Sequence, residues 1–396
     1  MPEPFVSLSS ADRKEALAVA ADRSGRPAHL LEKDVWVVWA LQTLFSSELG
    51  EHLVFKGGTS LSKAYGVIQR FSEDVDLTYD IRAIAPDLVG ERAEPLPTTR
   101  SEEKRWSKAV RDRLPKWVVE TTQPLIQDAI AAQGLSASTR ADGDKLFIDY
   151  EAASSGSGYV APSVMLEFGA RSTGEPASLR DVACDANGLI EGVTFPTATP
   201  RVMHAERTFW EKATAIHVFC VQGRLRGERF ARHWHDLVRL DDAGIADVAI
   251  SDRDLASAVA RHKRMFFPEK TAGGTPVDYE AAVHGNLQLV PNGEARTALA
   301  ADYAHMVDDG LLLEDAERFE DLIHRSKPTW KRDHCLRVRK KGIGSRRRGP
   351  SICLDPEFRI PTRRASGTRK SPTHYSSRPG NSWRRTGRSK RVESYM

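Results

Sequence analysis

The sequence predicts an α+β protein: a small mixed sheet with helices, then a helical C-terminal region, then a basic tail. Three observations carry this prediction. Short apolar runs bounded by turn residues, such as "HLVF" and "VDLTY", alternate with longer segments of helical period. Beyond residue 200 the segments that read clearly, "ERTFWEKATAIHVFC", "GERFARHWHDLVRL" and part of 295–323, are helical. Past residue 326 the apolar rhythm stops, and segments such as "GSRRRGPS" and "GNSWRRTGRSKR" read as disordered, basic low complexity.

The elements follow in order. Ser9 and Ser10 precede a short helical run over 11–21, and Pro27 opens a longer helix. In that helix Leu31, Val35, Val38, Leu41 and Phe45 recur at spacings of three and four, which marks one buried face. Gly50 closes the region, and residues 52–55 form a short buried strand. Gly57 and Gly58 turn the chain into a helix near Thr59, and residues 75–79 return as a strand. Residues 81–100, rich in Pro, Glu and Arg, read as a loop or insertion. Residues 102–132 read as helix, kinked or divided by Pro115 and Pro124. "KLFIDYEA" and "PSVMLEFGAR" pair as strands around an "SSGSG" loop. "ERTFWEKATAIHVFC", "GERFARHWHDLVRL" and part of 295–323 are helical. The expected domains are 1–200, 201–326 and the tail 327–396.

The 396 residues suffice for two or three domains. No run approaches the ~20 apolar residues of a membrane helix, and the N-terminus lacks the basic start and apolar block of a secretory signal. The four cysteines form no CxxC pair. The expected setting is the reducing cytoplasm. The net charge of +4 hides an asymmetry: residues 327–396 hold 21 of the 58 basic and 4 of the 54 acidic residues, which leaves 37 basic and 50 acidic in the remainder.

The chemistry concentrates in "FKGGTSLSKAYGVIQRFSEDVDLTYD". Strand alternation puts Asp74 and Asp76 on one face, with Val75 and Leu77 turned to the core. Two anions on one face repel, and a divalent cation turns them into a ligand set; oxygen donors suit magnesium, which keeps waters and substrate phosphates. Taken alone, the pair also fits an edge strand with two solvated acids. Gly57, Gly58, Thr59 and Ser60 let the backbone and a helix start approach a phosphate, or simply make a tight turn. In combination, strand, glycine pair, helix and Asp-x-Asp strand place a phosphate turn beside a metal site, which is what nucleotide transfer requires.

Further candidates lie along the chain. Glu167 shares a strand face with Met165, opposite Val164, Leu166 and Phe168, and can be a third carboxylate or an exposed acid. Lys212 flanks the buried face of Phe209, Ala213, Ile216 and Cys220, and can reach a triphosphate or snorkel to the surface. Asp236 can act in a site or pair with Arg232 one turn earlier. Arg70 can hold a phosphate or pair with Glu73. "HWHD" also raises a metal phosphohydrolase with an HD pair, His235 and Asp236, which needs partners such as His217 and Asp241 or Asp242. His233 and His235, two apart on a helix, point to different sides.

These residues resemble the nucleotidyltransferase toxins of the AbiEii/AbiGii abortive-infection type, the toxin half of type IV toxin–antitoxin systems. The resemblance rests on "LLEKDVWVVWAL", "VFKGGTSLSKAYGVIQRFSEDVDLTY", "VMLEFGAR" and "ERTFWEKATAIH" with "RFARHWHDLVRL", in the family's order over residues 30–240, with weaker similarity to about residue 323. It implies a polymerase-beta-like nucleotidyltransferase core with a helical C-terminal domain. The implied activity transfers a nucleoside monophosphate from an NTP to an acceptor, with two magnesium ions; in some relatives the acceptor is tRNA. It implies that Gly58 and Thr59 hold the triphosphate, with Gly57 preceding and Ser60 following. Asp74 and Asp76 match the metal pair, and Lys212 and Asp236 match a catalytic Lys and Asp. Glu167 lies on the strand where this superfold often carries a third carboxylate. Arg70 is placed to help Lys212 neutralise the leaving pyrophosphate. A cognate antitoxin is implied, with or without direct contact. Two departures stand out: a slightly long gap between glycine pair and Asp-x-Asp, and the basic tail, which fits a nucleic-acid arm or an out-of-frame extension of the gene. The competing reading is a non-catalytic nucleic-acid-binding protein acting through that tail.

Overall fold

Helix α1 (Ser10–Ser24) starts where Ser9 accepts the Asp12 N–H and stops at Gly25, whose φ of 71° fits a left-handed cap. Helix α2 (Ala28–Phe45) follows. Strand β1 (Leu53–Lys56) runs directly into α3 (Gly57–Lys63), and β2 (Asp74–Tyr79) returns antiparallel to β1. After α4 (Arg100–Trp117) and α5 (Gln123–Ala132) come β3 (Ala137–Asp142), β4 (Lys145–Tyr150), β5 (Ser163–Gly169), β6 (Ala177–Leu179) and β7 (Arg201–Met203). The remaining chain is helical: α6 (Ala205–Gln222), α7 (Arg232–Asp242), α8 (Ile245–Ser251), α9 (Arg253–Phe266), α10 (Gly293–Asp308) and α11 (Phe319–Arg325). This computed structural model describes residues 2–70, 72, 74–154, 161–224, 229–308, 310–312 and 316–327. The basic tail expected beyond residue 326 lies outside the described residues, Lys327 apart.

The main sheet has seven strands in the order β3-β4-β5-β2-β1-β7-β6. It is mixed, as expected: β2 is parallel to β5 and β1 to β7, while the other neighbours are antiparallel. Alternation holds in the strands that matter here. Val75 and Leu77 of β2 and Val164 and Leu166 of β5 are fully buried, and each such side chain contributes about 1.5–3 kcal/mol by leaving water.

Three local expectations are refined. Helix α2 is buried nearly all round, Trp36, Val37, Trp39 and Ala40 included, because it packs against the sheet and α1 together. Residues 81–100 are not all loop, since 81–84 and 86–89 each make one helical turn. Between α4 and α5 the chain widens into a π-helical turn, Val118–Thr122, framed by Pro115 and Pro124.

Buried apolar residues gather in two clusters. One joins the N-terminal helices to the sheet, and the other joins Leu61 and Ile68 to the helices from residue 205 onward. Helix α7 is set in place by α10, whose Asp302 accepts the N–H groups of Arg229 (2.6 Å) and Ala231 (2.7 Å) just before α7 begins. Among the described residues, no helix is long and apolar enough to cross a membrane.

Candidate active site

The glycine pair is required by side chains already packed on it. Gly57 has φ of 78°, and a Cβ there would lie 2.1 Å from Asp76 Oδ2. A Cβ on Gly58 would lie 2.2 Å from an Arg70 guanidinium nitrogen. Only glycine lets the Asp76 carboxylate and the Arg70 guanidinium close over the start of α3. The neighbouring hydroxyls are engaged within the protein. Thr59 Oγ1 donates to the Asp74 carbonyl and lies 2.8 Å from Ser72 Oγ. Ser60 Oγ donates to the Gly57 carbonyl at 2.9 Å. Thr59, Ser72 and Arg70 also border a solvent-open recess of about 350 Å³ shared with Asp34, Lys63 and Asp185.

On the half-buried polar face of the sheet, Asp76 is the register partner of Lys56 on β1 and of Glu167 on β5, and Glu167 is the partner of Lys145 on β4. The row across four strands therefore reads Lys145, Glu167, Asp76, Lys56. Lys145 Nζ reaches Glu167 Oε2 at 2.9 Å. Two like charges directly opposite destabilise a sheet. Burial, with Glu167 and Asp74 as neighbouring anions, pushes the Asp76 carboxyl up to about 6, against the opposing pull of Lys56 and Arg232.

A second cluster lies at α6 and α7. Asp236, fully buried, takes Arg70 Nε on one oxygen at 2.7 Å and an Arg70 terminal nitrogen on the other at 2.8 Å. Lys212 Nζ stands 2.9 Å from the same second oxygen. The two make a fully buried ion pair. Burial alone would raise the Asp236 carboxyl, yet Arg70 and Lys212 outweigh it and hold it well below the usual range. Burial lowers the Lys212 ammonium, and Asp236 opposes that shift.

The structure thus brings Asp74, Asp76 and Glu167 onto one sheet face, and Arg70, Lys212 and Asp236 into one buried ion cluster. Asp236 pairs with Arg70 and Lys212 rather than with Arg232, whose charge acts on Asp76 instead. Glu73, the other partner considered for Arg70, lies outside the described residues. The HD arrangement does not assemble. His217 Nδ1 accepts the Gln288 N–H at 3.0 Å, Asp242 pairs with Arg239 and Arg325, and Asp236 is taken by two cations. Among the described residues no three His, Cys, Asp or Glu side chains form a ready metal cage.

Sequence reading missed Lys56 and Lys145, which flank the carboxylates. It also missed Asp34, whose carboxylate holds Lys63 Nζ at 2.7 Å and the Asp185 N–H at 2.6 Å. Its one signal was an acid inside the apolar run "DVWVVWAL".

Comparison with known proteins bears on this site. The family model described as Nucleotidyl transferase AbiEii toxin, Type IV TA system, matches residues 39–325. No curated protein matches the chain. Among solved structures the chain is similar to MenT4, a nucleotidyltransferase toxin from Mycobacterium tuberculosis, with 18% identity and a TM-score of 0.33 over 81% of this chain and 98% of that one.

Proposed function

The chain belongs to the AbiEii family of nucleotidyltransferase toxins of type IV toxin–antitoxin systems, and from that premise we propose that it moves a nucleoside monophosphate from an NTP to RNA, tRNA being the favoured acceptor, with magnesium, and so blocks growth or phage propagation. Residues 1–200 would supply the sheet and its carboxylates, and residues 201–326 the helical half of the site. The observation that carries the reading is the placement of Asp76 between Glu167 and Asp74, over a glycine that admits its carboxylate.

The donor types suit the metal, though among the described residues the three carboxylates are not drawn together into a cage. The donors are hard carboxylate oxygens, and Asp76 is held at about 6 by burial and two neighbouring anions, a strain that a cation relieves. Asp74 and Asp76, with Glu167, would hold it. When bound, magnesium supplies charge neutralisation on the phosphate oxygens and makes the attacking hydroxyl more acidic. The turn Gly57 to Ser60 offers its backbone N–H groups to the β and γ phosphates, a role its engaged hydroxyls do not share. An acceptor hydroxyl attacks the α phosphorus in line, its proton is released, and pyrophosphate leaves.

Lys212, buried beside Asp236, neutralises the charge that grows on the leaving pyrophosphate. Asp236 is a positioning residue. Held well below the usual carboxylate range and clasped by Arg70 and Lys212, it is a weak base but a firm anchor. A cognate antitoxin is the partner that the family implies, and the setting is cytoplasmic.

The test is incubation of purified protein with each labelled NTP, magnesium and total RNA, in parallel with Asp74→Ala and Asp76→Ala. Label in an RNA species, lost in both variants, is the expected result. Folded variants that transfer at the native rate would refute the assignment.

A further inference from the structure

A third charged cluster adjoins this site and is not used by the mechanism above. Glu211, one residue before Lys212, lies 3.2 Å from Arg207 Nε one turn earlier on α6. Lys263 on α9 and Lys56 at the end of β1 act on the same carboxylate. Against burial, Arg207, Lys263 and Lys56 pull Glu211 down to about 2. Lys56 and Lys263 are only 7% and 6% exposed. Neither ammonium has a carboxylate within ion-pair distance among the described residues, and Lys263 Nζ lies over the Phe267 ring at 5.0 Å.

His262 adds no anion. Its Nε2 must donate to the Arg171 carbonyl at 3.0 Å, which leaves Nδ1 as a buried acceptor with no partner among the described residues. Three cations thus share Glu211, while Asp76, the register partner of Lys56, is committed to the metal in the reading above. Buried charge without a counter-ion is costly, and groups left unpaired point to a missing partner.

We infer that Lys56, Arg207 and Lys263 form a phosphate subsite for the backbone of the acceptor nucleic acid, separate from the Arg70, Lys212 and Asp236 cluster. The inference rests on the transferase reading. In-line displacement puts the attacking hydroxyl and the leaving pyrophosphate on opposite sides of the phosphorus. A site for it therefore needs two anion subsites around one set of carboxylates. Lys56 borders Asp76 along the sheet and Glu211 borders Lys212 along α6, so this cluster adjoins both halves of the site. Contacts to phosphate position a strand without reading its bases, and the bound phosphodiester is not itself altered.

The probe is the dinucleoside monophosphate CpA, with magnesium-ATP in a parallel arm, each titrated against the melting temperature of the full chain. A ligand that binds only the folded state raises that temperature, whereas charge attraction to the basic tail does not hold the core together. CpA should stabilise the wild type, and a mixture of cytidine and adenosine should not. Half-saturation by CpA should rise about tenfold in Lys263→Gln and in Lys56→Gln and recover in Lys263→Arg, and the ATP response should be unchanged in the two Lys263 variants. The subsite is refuted if CpA does not stabilise the wild type, if both Gln variants respond normally, or if the ATP response falls instead. If ATP neither stabilises the wild type nor donates label while the CpA effect persists, the transferase reading fails and the subsite stands.

Discussion

Asp76 on β2 stands directly opposite Glu167 on β5, two carboxylates abreast on the same sheet face. With Asp74 two residues away, they gather three carboxylates on that face, with Lys145 paired to Glu167 and Lys56 abreast of Asp76. A carboxyl raised to about 6 in the fold, from an ordinary 3.8, contributes instability once both states are ionised. The folded state binds the proton more tightly, so this term favours folding below about pH 4 and turns against it as pH rises through 6. Asp76→Asn should therefore raise the melting temperature at pH 7 in the presence of chelator, by roughly 2–4 °C per kcal/mol relieved. The gain should vanish near pH 4, while nucleotide transfer is lost at every pH. Calorimetric scans at the two pH values check it.

The same carboxyl sets a competition between protons and cations. The proposed transfer uses Asp76 ionised, so at limiting magnesium the rate should rise with pH through about 6. Raising magnesium should move that acid limb to lower pH, because the cation favours the ionised form. An acid limb independent of magnesium in initial-rate measurements would separate Asp76 from the metal.

Removing either partner of the buried ion cluster should have unequal effects. Asp236→Asn leaves Arg70 and Lys212 buried without their anion and should cost about 3–5 kcal/mol. Lys212→Met leaves the two-point Arg70–Asp236 contact intact, so most of the stability should remain while transfer falls about a hundredfold or more. Urea denaturation and label transfer on the same preparations separate the two effects.

Two glycines of similar backbone provide a controlled pair. Gly25 has φ of 71° with nothing within 4 Å of where a methyl group would sit, and Gly57 has φ of 78° with Asp76 Oδ2 at 2.1 Å from that point. Gly25→Ala should cost about 1 kcal/mol from the backbone alone. Gly57→Ala adds displacement of the carboxylate, so it should abolish transfer and blunt the stabilisation by magnesium. Melting curves with and without the ion make the comparison.

Much of the candidate site is legible in the sequence because the residues of its first half are local. Glycine pair, Thr59, Asp74 and Asp76 fall within twenty residues, and alternation on β5 singles out Glu167. The missing pieces are those that only strand order or long-range packing reveals. Lys56 and Lys145 gain meaning from the neighbours of Asp76 and Glu167 in the sheet. Arg70 finds Asp236 across 166 residues, and no periodicity announces such a pair. Helix α2 reads as one-faced because apolar spacing marks its most buried stripe, whereas polar residues such as Glu32 and Asp34 are buried beside it through specific partners.

The clasp of Arg70 on Asp236 has a mechanical consequence. Arg70 lies on the segment leading from α3 back to β2, while Asp236 belongs to the helices of the C-terminal half. Any hinge motion that parted the sheet from those helices would break a two-point ionic contact in a dry interior. The sheet and those helices are in this sense riveted at one point, and a motion that parts them must first bring water to the rivet.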